Sequence, residues 1–227
     1  MFNGKMKALT FSYDDGICPD GKLIEILNKY GMKCTFNINT GKHPKEGVRP
    51  NFTRDGAFIE KYTWSELADA YKGHEIASHS LTHPHLEKLN RATCRAEMLT
   101  DMINIEAITG RMPVGMAYPY GSYSDETVDV LRELGIKYAR GTWSSHNFDL
   151  QSDLLRFRPT CHHKDAALME LAKEFIKLKP ETPKLFYVWG HTYEFEIDKN
   201  WDVIERFCDL LAGRDDIFYG TNEETLL

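Results

Sequence analysis

Residues Lys7–Ile38 read KALTFSYDDGICPDGKLIEILNKYGMKCTFNI. Three patterns follow one another there. Lys7–Tyr13 is a short apolar run of strand length. Asp20–Tyr30 places Leu23, Ile26, Leu27 and Tyr30 on one helical face, with Gly31 as the stop. Lys33–Ile38 is a second run like the first. Strand, helix and strand within about 30 residues are a βαβ unit, and its two strands lie parallel in one sheet.

The pattern repeats outward from this unit. The expected helices are Trp64–Tyr71, Thr93–Thr109, Asp125–Leu134, Asp165–Leu178 and Trp201–Leu211. Thr63 with Glu66 forms a capping box before the first of these, and Gly110 and Gly135 close the next two. The expected strands are Glu75–Ser78, Val114–Tyr118, Lys137–Arg140, Lys184–Trp189 and Ile217–Tyr219. About seven βα units imply an α/β fold with a parallel sheet, open or closed into a barrel. No linker divides the chain, so residues 1–227 read as one domain. Gly41–Tyr62 and Gly141–His163 fit the alternation poorly and read as long loops.

Composition narrows the function. The chain has 28 Lys and Arg against 34 Asp and Glu, a net charge of −6, which is the reverse of a nucleic-acid footprint. It has no polybasic block and no apolar run of membrane-spanning length. Met1–Thr10 lacks the apolar core of a secretory signal, so the expected location is cytoplasmic if Met1 is the natural start. Five dispersed cysteines without a C-x-x-C pair argue against a disulfide framework or a thiolate zinc site. Cys161 beside His162 is not a nucleophile pair, because neighbours on an extended chain point apart.

Titratable residues gather at predicted strand ends. The first strand runs into Asp14-Asp15-Gly16, and Gly16 permits the turn that lets both carboxylates face one pocket; a solvated turn with a helix cap is the plainer reading. The strand Glu75–Ser78 runs into His79-Ser80-Leu81-Thr82-His83. One helical turn puts both imidazoles on one face, a pair suited to a catalytic zinc, although no Glu follows His79 as it does in zinc proteases. Asp15 completes a His-His-Asp set and leaves Asp14 free as a base. His85 reads as structural. The strand ending at Trp189 leads to Gly190-His191, and an imidazole there suits a general acid near neutral pH.

Asp14-Asp15-Gly16, His79-Ser80-x-x-His83, Tyr118-Pro119-Tyr120-Gly121 and Gly190-His191, in this order along nearly the whole chain, resemble the polysaccharide deacetylases of carbohydrate esterase family four. Their shared module is the nodulation-factor deacetylase homology domain. The resemblance implies a distorted (β/α)7 TIM-like barrel and hydrolysis of an acetamide, usually on N-acetylglucosamine. It implies Asp14 as base, Asp15, His79 and His83 as metal ligands, and His191 as acid. By ligand type the metal is zinc, with cobalt, nickel or manganese able to serve. The backbone N–H of Tyr120 is the expected oxyanion donor.

The sequence departs from the family pattern in two places. Met116-Ala117 precedes Tyr118-Pro119-Tyr120-Gly121 without the Arg that pairs with the base; Arg140 is the candidate substitute and Arg158 the runner-up. The later Asp-x-x-Asp-Trp motif has no match, since Trp143 and Asp149 are wrongly spaced, so the partner of His191 is open. Trp189 is expected to face the pocket and stack on sugar, and Glu194 to bind a hydroxyl or remain a loop charge. The expected partner is an N-acetylated sugar or small amide, with no nucleic acid or membrane. Two competing classes are a metal-independent cyclic-amide hydrolase, disfavoured by the intact ligand set, and a non-catalytic sugar-binding barrel.

Overall fold

The computed structural model describes residues 2–227. The helices and strands follow in chain order. The first part runs β1 (Lys7–Asp14), α1 (Asp20–Lys29), β2 (Cys34–Ile38), β3 (Asn51–Arg54), β4 (Ala57–Glu60), α2 (Trp64–Ala70), β5 (Glu75–Ser78), α3 (Arg91–Thr109), β6 (Gly115–Ala117) and α4 (Asp125–Glu133). The rest runs β7 (Tyr138–Arg140), β8 (Cys161–His162), α5 (Leu168–Lys177), β9 (Lys184–Gly190), α6 (Tyr193–Asp198), α7 (Trp201–Leu211), β10 (Ile217–Tyr219) and α8 (Asn222–Leu226).

Seven strands lie in the order β7-β6-β5-β2-β1-β9-β8, all paired in parallel, and β10 fills the lower half of the edge of β1 below β2. A bridge between Arg140 and Phe157 draws the chain just before β8 to the free side of β7, so the curled sheet meets itself as a distorted barrel. The alternation gave the parallel sheet, and this arrangement is the distorted (β/α)7 barrel that the resemblance implies.

The alternation along β1 builds both the core and the site. Leu9, Phe11 and Tyr13 face outward into a cluster with Leu23 and Leu27 of α1, Phe175 of α5 and Phe207 of α7. Each such buried side chain contributes about 1.5–3 kcal/mol. Thr10, Ser12 and Asp14 face the opposite side, the barrel interior, where they make polar contacts. The parallel register sets Tyr13 beside Gly190, Asp14 beside Asn37, Ile38 beside Ser78 and Ala117 beside Arg140, so the carboxyl ends of six strands open at one end of the barrel.

The structure adds the short helices α6 and α8 to the sequence reading, and two stretches read as loops carry strands. Residues 41–62 contain the antiparallel hairpin β3–β4, whose Ile59, Phe52 and Ala57 pack on Ile17, Tyr193 and Ile197. Residues 141–163 supply β8, the strand that lies against β9. Both are too short and too polar for periodicity to reveal, and both are held by distant partners. Helix α3 begins at Arg91, two residues before the predicted start, because the Asn90 side chain accepts the Thr93 N–H at 3.0 Å. Among the described residues no helix is long and apolar enough to cross a membrane.

Candidate active site

Asp14 and Asp15 part at the end of β1. Asp14 completes the strand and points inward. Asp15 adopts φ 83° and Gly16 φ 63°, so the chain reverses and brings the second carboxylate over the same opening. Gly16 is required twice over: its φ favours glycine, and a Cβ would meet the His43 ring at 2.8 Å.

Asp14 is 3% exposed and its partner Arg140 1%. The Arg140 Nη2 donates to both carboxylate oxygens, to Oδ2 at 2.7 Å, and its Nε donates to the Ser12 hydroxyl at 3.2 Å. Asn37 donates to Asp14 Oδ1 at 2.8 Å. Burial pushes the Asp14 carboxyl up, but Arg140, with His79 and His191, holds it below the ordinary range. Arg158 is exposed, and its backbone pairs with the Gln151 side chain instead.

Asp15, His79 and His83 each offer one ligand atom, all within 4.8 Å of one another. The His pair does not reach this arrangement by a helical turn, as the spacing suggests. Residues 79–83 are irregular, with Ser80 at φ 60° and His83 at φ 63°, and these two left-handed residues fold the second imidazole back to 4.7 Å from the first. The backbone carbonyl of Ala117 accepts from His79 Nδ1 at 2.8 Å; a carbonyl can only accept, so His79 keeps a bare Nε2. Burial lowers the pKa of both histidines, that of His83 to about 4, so both are neutral at pH 7. Burial pushes Asp15 up, but Lys61 with His191 and His79 holds it ionised. Two neutral imidazoles and a carboxylate fit a divalent cation of the zinc type.

Lys61 and Asn39 are absent from the motif reading. Lys61 closes the β3–β4 hairpin, donates to the Asp15 carbonyl and lies 3.4 Å from Asn39 Oδ1, while Asn39 donates to Asp15 Oδ1 at 3.2 Å. For Asn39 the sequence signal is the pair Asn37 and Asn39 around the end of the apolar strand β2; Lys61, 46 residues beyond Asp15, has none.

His191 places Nε2 3.9 Å from Asp14 Oδ2. Its partner is Glu194, whose Oε2 lies 3.4 Å from His191 Nδ1, 3.1 Å from His162 Nε2 and 3.5 Å from His163 Nε2. Burial lowers the His191 pKa, but Glu194, Asp14 and Asp15 outweigh it and raise it above the ordinary value. Beneath it, Thr192 donates to the buried Asp20, which also accepts from Tyr71 at 2.7 Å.

The aromatic reading needs correction. Trp189 is 8% exposed, with the Arg140 guanidinium 4.6 Å from its ring centre, so it supports the arginine rather than offering an open stacking face. The open aromatics near these strand ends are Tyr120, 58% exposed and stacked on His85 at 3.9 Å, and Trp143, 77% exposed. Cys161 is buried, and burial pushes its thiol up, which fits an unreactive sulfur. A separate cavity of about 600 Å³ lies at the other end of the sheet, and its lining ion pairs, Lys33 with Glu224 and Arg111 with Glu223, satisfy one another.

The curled parallel sheet with acids and imidazoles at its carboxyl end defines a TIM-like barrel. The family model described as polysaccharide deacetylase matches residues 2–139, and the chain belongs to that family. A chitin deacetylase from Arthroderma benhamiae is 35% identical over 131 residues, covering 56% of this chain and 31% of that protein. The chain thus matches about a third of that relative's length. A family 4 carbohydrate esterase from Streptomyces lividans in complex with acetate superposes with a TM-score of 0.59 at 18% identity, covering 96% of this chain and 92% of that one. A CE4 family pseudoenzyme from Bacillus anthracis superposes at 0.56 and 19%, covering 100% of this chain and 67% of that one, so the fold alone does not carry activity.

Proposed function

We propose that this chain is a cation-dependent hydrolase that removes the acetyl group from an N-acetylated carbohydrate. One observation carries the reading: Asp14, held ionised by Arg140, stands beside the separate set of Asp15, His79 and His83. The set would hold a divalent cation, zinc by donor type; when bound, such a cation polarises an acyl oxygen and acidifies water.

The protein's own groups do the rest. Asp14 takes the proton of the attacking water, and its pairing with Arg140 keeps the carboxylate free to receive it. The backbone N–H of Tyr120 donates to the acyl oxygen as negative charge develops there. His191 gives its Nε2 proton to the departing amine nitrogen and returns to neutral imidazole. Asn37 and Ser12 fix the orientation of the Asp14–Arg140 pair.

The test is acetate release from N-acetylglucosamine oligomers by the intact chain before and after chelation. Loss on chelation and recovery with added zinc support the proposal. Activity that survives both chelation and Asp14→Asn contradicts it.

A further inference from the structure

We propose that Glu194 is a positioning residue for His191, and that the His162–Glu194–His191 cluster is a hydrogen-bond hub holding its two imidazoles in opposite tautomers rather than a second cation site. The proposal rests on the reading of His191 as the proton donor.

The donor and acceptor rules assign the protons. The Lys164 backbone N–H can only donate, and it lies 3.1 Å from His162 Nδ1. That nitrogen therefore carries the lone pair, and the single proton of a neutral His162 sits on Nε2, 3.1 Å from Glu194 Oε2. The order reverses at His191. Its Nδ1 faces the same oxygen at 3.4 Å, and an ionised carboxylate can only accept, so Nδ1 carries the proton. Its Nε2, which carries the second proton in the imidazolium form that acts as the acid, faces Asp14 and the reacting groups. The backbone N–H of His191 donates to the same oxygen at 3.1 Å. A cation on this cluster needs a bare His162 Nε2, which the Lys164 contact denies it.

The remaining neighbours support a fixed orientation. The His163 ring is buried, neither of its nitrogens makes a hydrogen bond, and Nε2 lies 3.5 Å from Glu194 Oε2. Its ring stacks between Tyr13 at 5.6 Å and Phe195 at 4.1 Å. Tyr193, 5.0 Å from the His191 ring, has its hydroxyl held by Arg54 at 2.6 Å. The titratable and charged groups facing His191 are therefore Asp14 at the end of β1 and Asp15 just after it, His162 at the end of β8 and His163 just after it, and Tyr193 and Glu194 from α6; Arg140 lies over Trp189. Glu194 is the acid that touches the nitrogen remote from the chemistry, so it sets the tautomer.

The experiment is long-range proton–nitrogen NMR on the full chain with 15N-histidine, with His191 and His162 assigned by His191→Gln and His162→Gln. Recorded at a pH where both rings are neutral, the expected spectrum shows His191 protonated on Nδ1 and His162 on Nε2. Glu194→Gln should let His191 populate both tautomers, lower its pKa, and reduce kcat by roughly 100-fold with KM within about threefold. Glu194→Asp should recover part of that loss. His162→Gln should act the other way on the pKa, raising it, because Glu194 then serves one ring fewer; this variant keeps the test open if Glu194→Gln does not fold. Unchanged His191 tautomer and pH–rate profile in Glu194→Gln overturn the proposal. So does zinc bound at two per chain in the wild type and one in Glu194→Gln. A wild-type protein that releases no acetate contradicts the proposed function instead, and the NMR result still decides the tautomers.

Discussion

Two clusters in this molecule have the same composition. Asp15, His79 and His83 form one, and Glu194, His162 and His191 the other; each is a carboxylate with two imidazoles whose ligand atoms lie within 4.8 Å. They differ in what stands behind the rings. A carbonyl behind His79 leaves Nε2 bare, while an amide N–H behind His162 leaves Nε2 protonated. Residue type and spacing make a cluster, and the outer hydrogen bond decides whether it grips a cation or aims a proton donor.

The sharpest break of this comparison is to cripple each side in turn. His79→Ala should abolish stoichiometric zinc binding and lower activity by at least about 1000-fold. His162→Ala should leave zinc at one per chain by elemental analysis; a loss of zinc there would erase the distinction. Asp14→Asn should retain the zinc yet reduce kcat/KM by roughly 1000-fold, because the proton acceptor is gone. It should also lower stability by about 3 kcal/mol in chemical denaturation, since Arg140 is left buried without its anion.

Smaller effects test the supports. Arg140→Lys should reduce activity by about 10- to 100-fold, because an ammonium cannot both span the Asp14 oxygens and lie over Trp189. Arg158→Ala should stay within about twofold; equal losses in the two variants would contradict the assignment of Arg140. A further effect concerns stability against pH rather than activity. Burial pushes the Asp20 carboxyl up to about 7, above its unfolded value near 4. Its contribution is therefore complete below pH 4 and is lost as pH rises from 4 through 7. Thermal melts should show Asp20→Asn gaining on the wild type by about 2–4 kcal/mol across that window. A difference that is flat with pH would show that Asp20 is ionised throughout.

Much of the fold was legible because it is local. The apolar run of β1, the cap at Thr63 and the stop at Gly110 each announce an element within a few residues. The hairpin β3–β4 and strand β8 were not legible, because distant surfaces hold them. The motif residues at the ends of β1 and β5 were readable as chemistry, but the bend that joins His79 to His83 was not, since nothing in Ser80-Leu81-Thr82 announces two left-handed residues. Arg140 stood out by its place at a strand end, and the structure sets its guanidinium on Asp14. Lys61, Asn39 and the bond from Lys164 to His162 are contacts across the fold, and they separate the two clusters more than the motifs do.

The central claim is that the cation belongs to Asp15, His79 and His83 while Asp14 stays free. Anomalous diffraction at the zinc edge, from crystals equilibrated with one equivalent of zinc, tests it most directly. The predicted result is a single peak about 2.0–2.2 Å from one oxygen of Asp15 and one nitrogen each of His79 and His83, with both Asp14 oxygens outside bonding distance. A peak on Glu194, or one ligated by Asp14, would contradict the account.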